Sequence, residues 1–181
     1  MTDLLEIIKN RRSIRHYDPR ELSDELLDQV VEAFRWAPSW ANTQCWELIV
    51  VRDPVIRKKL QEAMPPKGNP ATKAIVEASA VLAVCGKTGV AGYFKGEKTT
   101  KFGDWMLFDL GLATQNLCLM AHSLGLGTVI AGLFDHDKAA KAVNLPHGYE
   151  LVALIPIGYP EKIGGAPQRR ESSAFVHQDT F

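Results

Sequence analysis

The chain has little cysteine and no surplus of charge. Its three cysteines, Cys45, Cys85 and Cys118, are too few and too widely spaced for a disulfide framework. No C-x-x-C pair is present to seed a zinc or iron–sulfur site, so no metal is expected. Buried free thiols in a reducing cytosol are the expectation, and with them a cytoplasmic location. Lys and Arg total 21 and Asp and Glu total 21, so the formal net charge is zero. That balance excludes a strongly basic nucleic-acid binder and leaves self-association unopposed by charge. The first residues are not a basic region followed by an apolar one, so no signal peptide is expected. Internal repeats and low-complexity segments are missing as well.

The longest uncharged stretch, Leu110 to Phe134, is long enough to cross a bilayer. It carries Gln115, Asn116, His122 and Ser123, and Gly125-Leu126-Gly127 interrupts any helix before Thr128-Val129-Ile130. A buried helix running into a buried strand accounts for it better than a membrane span. With 46% apolar and 23% charged residues, the 181-residue chain is an ordinary globular sequence. One domain over residues 1–181 is expected.

Periodicity supplies the elements. Thr2 or Asp3 caps a first helix carrying Leu4, Leu5 and Ile8, which Asp18-Pro19 ends. Ser23 caps a second helix, in which Leu26, Val30 and Phe34 recur every four residues up to Ala37-Pro38. A strand follows near Trp46 to Val51, then a helix opened by Asp53-Pro54. A short helix at Thr72 to Ala78 leads into Ala80 to Cys85, an apolar run that reads as a strand covered on both faces. Gly86 to Gly103 reads as a mobile excursion. Asp104 to Ser123 is a helix apolar nearly all round, as at a fold's centre or a large interface. A strand at Thr128 to Ala131, a helix at Asp137 to Val143 and a strand at Leu151 to Gly158 complete the core. The tail from Pro160 to Phe181 has no core pattern of its own. The sum is a layered α+β domain, with a central sheet of four or five strands flanked by helices.

Chemistry concentrates in three places. Arg11, Arg12 and Arg15 lie within five residues around the hydroxyl of Ser13. Guanidinium forks suit phosphate oxygens, although a solvated basic helix end is the commoner account of such a cluster taken alone. Pro38-Ser39-Trp40-Ala41-Asn42-Thr43-Gln44-Cys45-Trp46 sets amides and indoles in a loop, where amides read polar ring edges and aromatics cover flat rings. Ala131-Gly132 ends a strand at a turn small enough for a ligand to approach the backbone.

Taken in order, these segments resemble the nitroreductase family of FMN-dependent oxidoreductases. The resemblance runs from Arg11-Arg12-Ser13-Ile14-Arg15 through the Pro-Ser-x-x-Asn-x-Gln-x-Trp pattern of Pro38 to Trp46. It continues through Gln115-Asn116-Leu117, Ala121 to Gly127 and Ile130 to Phe134, and ends at Arg169-Arg170. It implies a domain-swapped homodimer with two FMN sites at the interface and a C-terminal tail wrapping the partner. It implies that Arg12, Ser13 and Arg170, helped by Arg169, hold the FMN phosphate. Arg11 and Arg15 would reach the ribityl chain and the N1–O2 side of the flavin. Pro38, Ser39, Trp40, Asn42 and Gln44 belong to the loop that borders the ring, with Ser39, Trp40 and Asn42 coming from the other subunit. The amide of Ala131 or Gly132 would donate to flavin N5.

The implied activity is ping-pong hydride transfer from NADH or NADPH through FMN to a small electron-poor acceptor, such as a nitroaromatic or quinone. No protein nucleophile or base is required, so no residue is assigned a catalytic role. Two departures stand out. Cys45 occupies the place where the family usually has Pro, as a small buried filler or a redox-active thiol. The residue that reads the flavin pyrimidine is left open among Asn69, Thr72 and Lys73. Other readings are a flavin-binding or storage protein, a specialised relative that is an enone reductase, dehalogenase or flavin-cannibalising enzyme, and a small-anion module without flavin.

Overall fold

The two longest apolar runs of the sequence become the two central strands. A computed structural model describes residues 3–181. Strand β2 (Ala80–Lys87) pairs antiparallel with β6 (Tyr149–Gly158), Ala80 facing Ile157. Every residue of β2 except Lys87 is buried, because helices cover both faces. Strand β1 (Trp46–Val51) lies outside β2 and the short β5 (Gly127–Thr128) outside β6, giving the order β1-β2-β6-β5, all antiparallel.

The alternation of side chains divides the core in two. On one face Leu82, Val84, Ile155 and Ile157 meet helices α2 (Asp24–Arg35) and α5 (Met106–Ser123) through Val30, Phe34, Leu110 and Leu117. On the other, Val81, Ala83 and Leu154 meet α3 (Pro54–Ala63), α4 (Ala74–Glu77) and α6 (His136–Ala142) through Leu60, Ile75 and Ala139. The expected caps are in place. Ser23 Oγ accepts the Leu26 amide at 3.4 Å, and Asp53 Oδ1 accepts those of Val55 and Ile56 at 2.7 and 3.3 Å ahead of Pro54. Asp135, rather than Asp137, sets the start of α6, by accepting the Lys138 amide at 2.9 Å.

Two segments differ from the sequence expectation. The strand expected over Thr128 to Ala131 is broken: pairing with β6 stops at Thr128 and resumes only where Ala131 bridges Leu154. Ile130 lies half exposed in the gap. The excursion from Gly86 to Gly103 has regular structure. Gly86 and Lys87 extend β2, and β3 (Tyr93–Phe94) and β4 (Glu97–Lys98) form a hairpin. Its two turn residues, Lys95 and Gly96, have φ of 52° and 83°, the mirror-image turn that a two-residue hairpin favours.

Helix α1 (Leu4–Asn10) buries none of its own residues, and Leu4, Leu5 and Ile8 are exposed. Residues 161–181 are exposed throughout. Among the described residues, no helix is long and apolar enough to cross a membrane, and no group of His, Cys, Asp and Glu could hold a metal ion.

Candidate functional site

The segment after α1 is drawn against the edge of the sheet. Ser13 bridges Thr128 in parallel, and the Ile14 amide donates to the Thr128 carbonyl at 2.9 Å. Tyr17 clamps the segment from below, its hydroxyl lying 2.9 Å from the Ile14 carbonyl and 3.0 Å from that of Pro156. The approach is close enough to require glycine at 127, since a Cβ there would sit 2.6 Å from Ile14 Cγ1. This packing fixes the backbone from which the arginines project.

Arg11 and Arg12 line a small cleft with Ile14, His122, Leu126 and Thr128. Arg12 Nη1 donates to the carbonyls of Lys9 and Arg11, both at 2.6 Å, closing the end of α1. Arg15 Nη1 reaches the Ser13 carbonyl at 3.4 Å, while its Nε is buried with no partner. None of Arg11, Arg12 and Arg15 is in any ion pair among the described residues. Three uncompensated guanidinium groups make this corner strongly cationic. His122 registers the field: burial first, then the charges of Arg11 and Arg12, hold its pKa below the ordinary imidazole value.

Arg15 also faces a second cleft, of about 260 Å³, formed by Gly68 to Ala71 and Val129 to Leu133. Here the interrupted strand matters. The Ala131 amide donates to the Leu154 carbonyl at 2.9 Å, so it has no proton left for a ligand. The Gly132 amide has no partner among the described residues. Asn69 settles beside the same turn, Nδ2 donating to the Leu133 carbonyl at 3.1 Å and Oδ1 accepting the Ala71 amide at 2.9 Å. Of the three residues left open by the sequence, Asn69 alone lines this cleft; Thr72 and Lys73 do not.

The loop from Pro38 to Gln44 is held in an unusual shape. Trp40–Asn42 forms a single 3₁₀ turn, and Ala41, Asn42 and Gln44 have φ of 47°, 55° and 47°. Three non-glycine residues in the left-handed region within four positions are costly unless something outside the loop fixes them. Ser39 Oγ accepts the Gln44 amide at 2.9 Å, and Gln44 Nε2 donates to Asn42 Oδ1 at 3.3 Å. The external anchor is Asp109 in the first turn of α5, whose two carboxylate oxygens each lie 3.1 Å from the Trp40 amide. Asp109 is 1% exposed, and burial raises its carboxyl pKa. Asp109 is not among the site residues expected from the sequence, although a signal was present: it is the last acid before the uncharged stretch that makes up the rest of α5.

Cys45 Sγ lies 3.7 Å from Asp109 Oδ2. Burial first, then the Asp109 charge, pushes the thiol up to about 11, so it is a protonated filler at neutral pH. The Trp40 indole is half buried against the α2–α5 core.

The chain does not unite every expected site residue. The Pro38 to Gln44 loop lines neither arginine-bordered cleft. Arg169 donates to the Pro167 carbonyl at 3.2 Å, and Arg170 bonds the Ala174 carbonyl and lies 5.7 Å from the Phe175 ring centroid. Both contacts are local to the exposed tail.

The donor set fits FMN. An arginine cluster without an acidic partner among the described residues suits a phosphate, and a buried orphan Nε, an amide with no described partner and an asparagine at one cleft suit a heterocycle rich in acceptors. Comparison with known proteins agrees. The family model described as Nitroreductase family matches residues 8–159. A Methanothermobacter thermautotrophicus protein named putative NADH dehydrogenase/NAD(P)H nitroreductase is 33% identical over 90% of this chain and 80% of its own. A Bacillus subtilis protein named FMN reductase [NAD(P)H] is 29% identical over all of this chain and 75% of its own. The crystal structure of a putative NADH dehydrogenase/NAD(P)H nitroreductase from Parabacteroides distasonis superposes with a TM-score of 0.84 at 26% identity, covering both chains completely.

Proposed function

This chain belongs to the nitroreductase family, and on that premise we propose that it is a homodimeric, FMN-dependent NAD(P)H oxidoreductase. It reduces small electron-poor acceptors, such as nitroaromatics or quinones, in a ping-pong sequence. The observation that carries the reading is that Arg15, whose Nε has no partner among the described residues, lines one cleft with Gly132, whose amide likewise has none, next to the cationic corner of Arg11 and Arg12.

Arg12 and Ser13 hold the FMN phosphate, joined by Arg170, with Arg169 in support. Arg11 and Arg15 face the ribityl chain and the N1–O2 side, where positive charge favours the reduced, anionic flavin. Asn69 reads the pyrimidine edge, and the Gly132 amide donates to N5. Pro38, Ser39, Trp40, Asn42 and Gln44 close the site from the partner subunit, which accounts for their distance from the arginines within one chain. When bound, FMN supplies the electron-carrying chemistry. The residues around it bind, orient and exclude water, and none acts as nucleophile or base. The exposed apolar face of α1 and the exposed tail are surfaces for the second subunit. Tail wrapping and exchange of elements between subunits follow from the same reading.

The test is a visible spectrum of the purified protein after loading with FMN and gel filtration, followed by NADH and NADPH oxidation assays. About one FMN per chain is expected, with steady turnover on a nitroaromatic or quinone. Absence of retained flavin overturns the reading. Flavin that is retained, but reoxidised by oxygen alone, makes the protein a flavin store.

A further inference from the structure

We infer that Asp109 is a positioning residue for the flavin site of the partner subunit, acting through the Trp40 loop. The inference rests on the proposed flavin reading and goes beyond it, because Asp109 is among none of the residues that reading places against the cofactor.

A carboxylate that is 1% exposed and has no ion-pair partner among the described residues is expensive to keep in a fold. Burial accordingly raises its pKa. The site offers compensation of a particular kind. Both carboxylate oxygens face the Trp40 amide at 3.1 Å, the Cys45 thiol lies 3.7 Å from Oδ2, and the first turn of α5 places the charge at the positive end of the helix dipole. A leucine here would extend the apolar face that α5 already presents to α2 and the sheet.

What leucine could not do is hold the Trp40 amide. That amide opens the turn in which Ala41, Asn42 and Gln44 adopt left-handed conformations. Within the loop, the carbonyls of Ser39 and Trp40 accept the Asn42 and Thr43 amides at 3.0 and 2.9 Å and the Ser39 hydroxyl accepts that of Gln44, but among the described residues only Asp109 accepts the Trp40 amide. Asp109 therefore fixes the loop's shape from a rigid helix, and with it the direction in which Ser39 and Asn42 are presented. Because the loop lines neither arginine-bordered cleft of its own chain, the effect is assigned to the other subunit's site.

The test uses FMN affinity and the flavin absorption spectrum of the full dimer. Asp109→Leu removes the acceptor, and Asp109→Asn keeps one oxygen for the Trp40 amide. The leucine variant is expected to stay dimeric with a normal far-ultraviolet circular dichroism spectrum. Its FMN dissociation constant should rise on the order of ten-fold, with a shifted flavin band. The asparagine variant should recover most of both. Co-expressed mixed dimers of Asp109→Leu and Arg12→Ala chains should carry one tightly bound FMN with the wild-type spectrum, since one of their two sites is then intact. Wild-type affinity and spectrum in the Asp109→Leu dimer overturn the inference, as does a mixed dimer with no tight site. If the leucine variant does not fold, Asp109→Ala, which removes the same acceptor with less bulk, carries the test in the same dimer and mixed dimer. A wild-type protein that retains no FMN overturns the flavin reading itself.

Discussion

Ala131 and Leu154 exchange both backbone hydrogen bonds, each 2.9 Å long, across a gap in the strand. The pair returns the chain to the sheet for one residue and leaves the next amide, that of Gly132, unpaired. Replacing Gly132 by proline removes that proton while leaving the arginines untouched. FMN should still bind, and the flavin reduction potential should rise, because N5 accepts that bond in the oxidised ring and carries its own hydrogen once reduced. Spectroelectrochemical titration checks this; an unchanged potential would remove the Gly132 amide from the site.

Arg12→Ala deletes a guanidinium with no acidic partner, so nothing within the chain is left charged and unpaired. Loss of a charge-assisted phosphate contact costs about 1.5–3 kcal/mol, or roughly ten- to hundred-fold in FMN affinity. Equilibrium dialysis measures it. Circular dichroism controls for the two carbonyls at the end of α1 that the same side chain caps.

Gly127→Ala should disturb the site without touching any ligand-facing atom. The added methyl would meet Ile14 Cγ1 at 2.6 Å, in a place where Ile14 is 4% exposed and cannot swing out. Overpacking of this kind costs about 1–3 kcal/mol, which for a chain of this size lowers Tm by roughly 2–9 °C. Flavin affinity should fall with it, since Ser13 and Arg15 flank the displaced residue. A scanning calorimetry trace matching wild type would refute the close-approach argument.

The thiols set an alkaline limit. Burial pushes Cys45 up to about 11 and Cys85 up to about 12, above the ordinary thiol value of 9.0. Between about pH 9 and those values the unfolded chain has lost protons that the native chain keeps. Stability present below pH 9 should therefore decline as pH rises through that window. Urea melts at pH 8, 9 and 10 should show the decline, and a Cys45→Ala, Cys85→Ala variant should lessen it, the remainder coming from Cys118 and Tyr17, which burial also pushes up. In the native protein at pH 7.5 neither thiol should react rapidly with iodoacetamide.

Ile8→Glu places a charge in the apolar stripe of α1, where Leu4, Leu5 and Ile8 are all exposed. The monomer should fold, the dimer should dissociate on sedimentation, and retained FMN should drop, because the loop from Pro38 to Gln44 no longer reaches a partner. A dimer that persists at micromolar concentration with full FMN would place the interface elsewhere.

The elements easiest to read in the sequence were those whose burial is one- or two-sided throughout. Ala80 to Cys85 is apolar at every position because helices cover both faces, and Ser23 and Asp53 mark helix starts by chemistry that needs no tertiary partner. The hairpin of Tyr93 to Lys98 left no such mark: two-residue strands have no period, and Lys95-Gly96 is not a common pair for that turn. The stop at Thr128 was invisible for a related reason. Val129 and Ile130 have strand-forming side chains, yet the backbone leaves β6 there because the segment at Ser13 occupies the other side of Thr128. Of the proposed site, the arginines, the loop and the turn were singled out by motif spacing. It could not choose between the Ala131 and Gly132 amides, since that choice depends on a hydrogen bond to Leu154. Nor could it find Asp109, which is 64 to 69 residues away from the groups it holds.

That separation has a consequence for protein engineering. The segment from Pro38 to Trp46 is not a portable cassette. Transplanted alone into a related scaffold with an aliphatic residue at the facing position of the long helix, it would keep its sequence and lose its bend. Exchange of acceptor-facing surfaces among such enzymes should therefore be planned in pairs, loop together with helix turn. Chimeras that move only one half should lose flavin contacts even where every grafted side chain is correct.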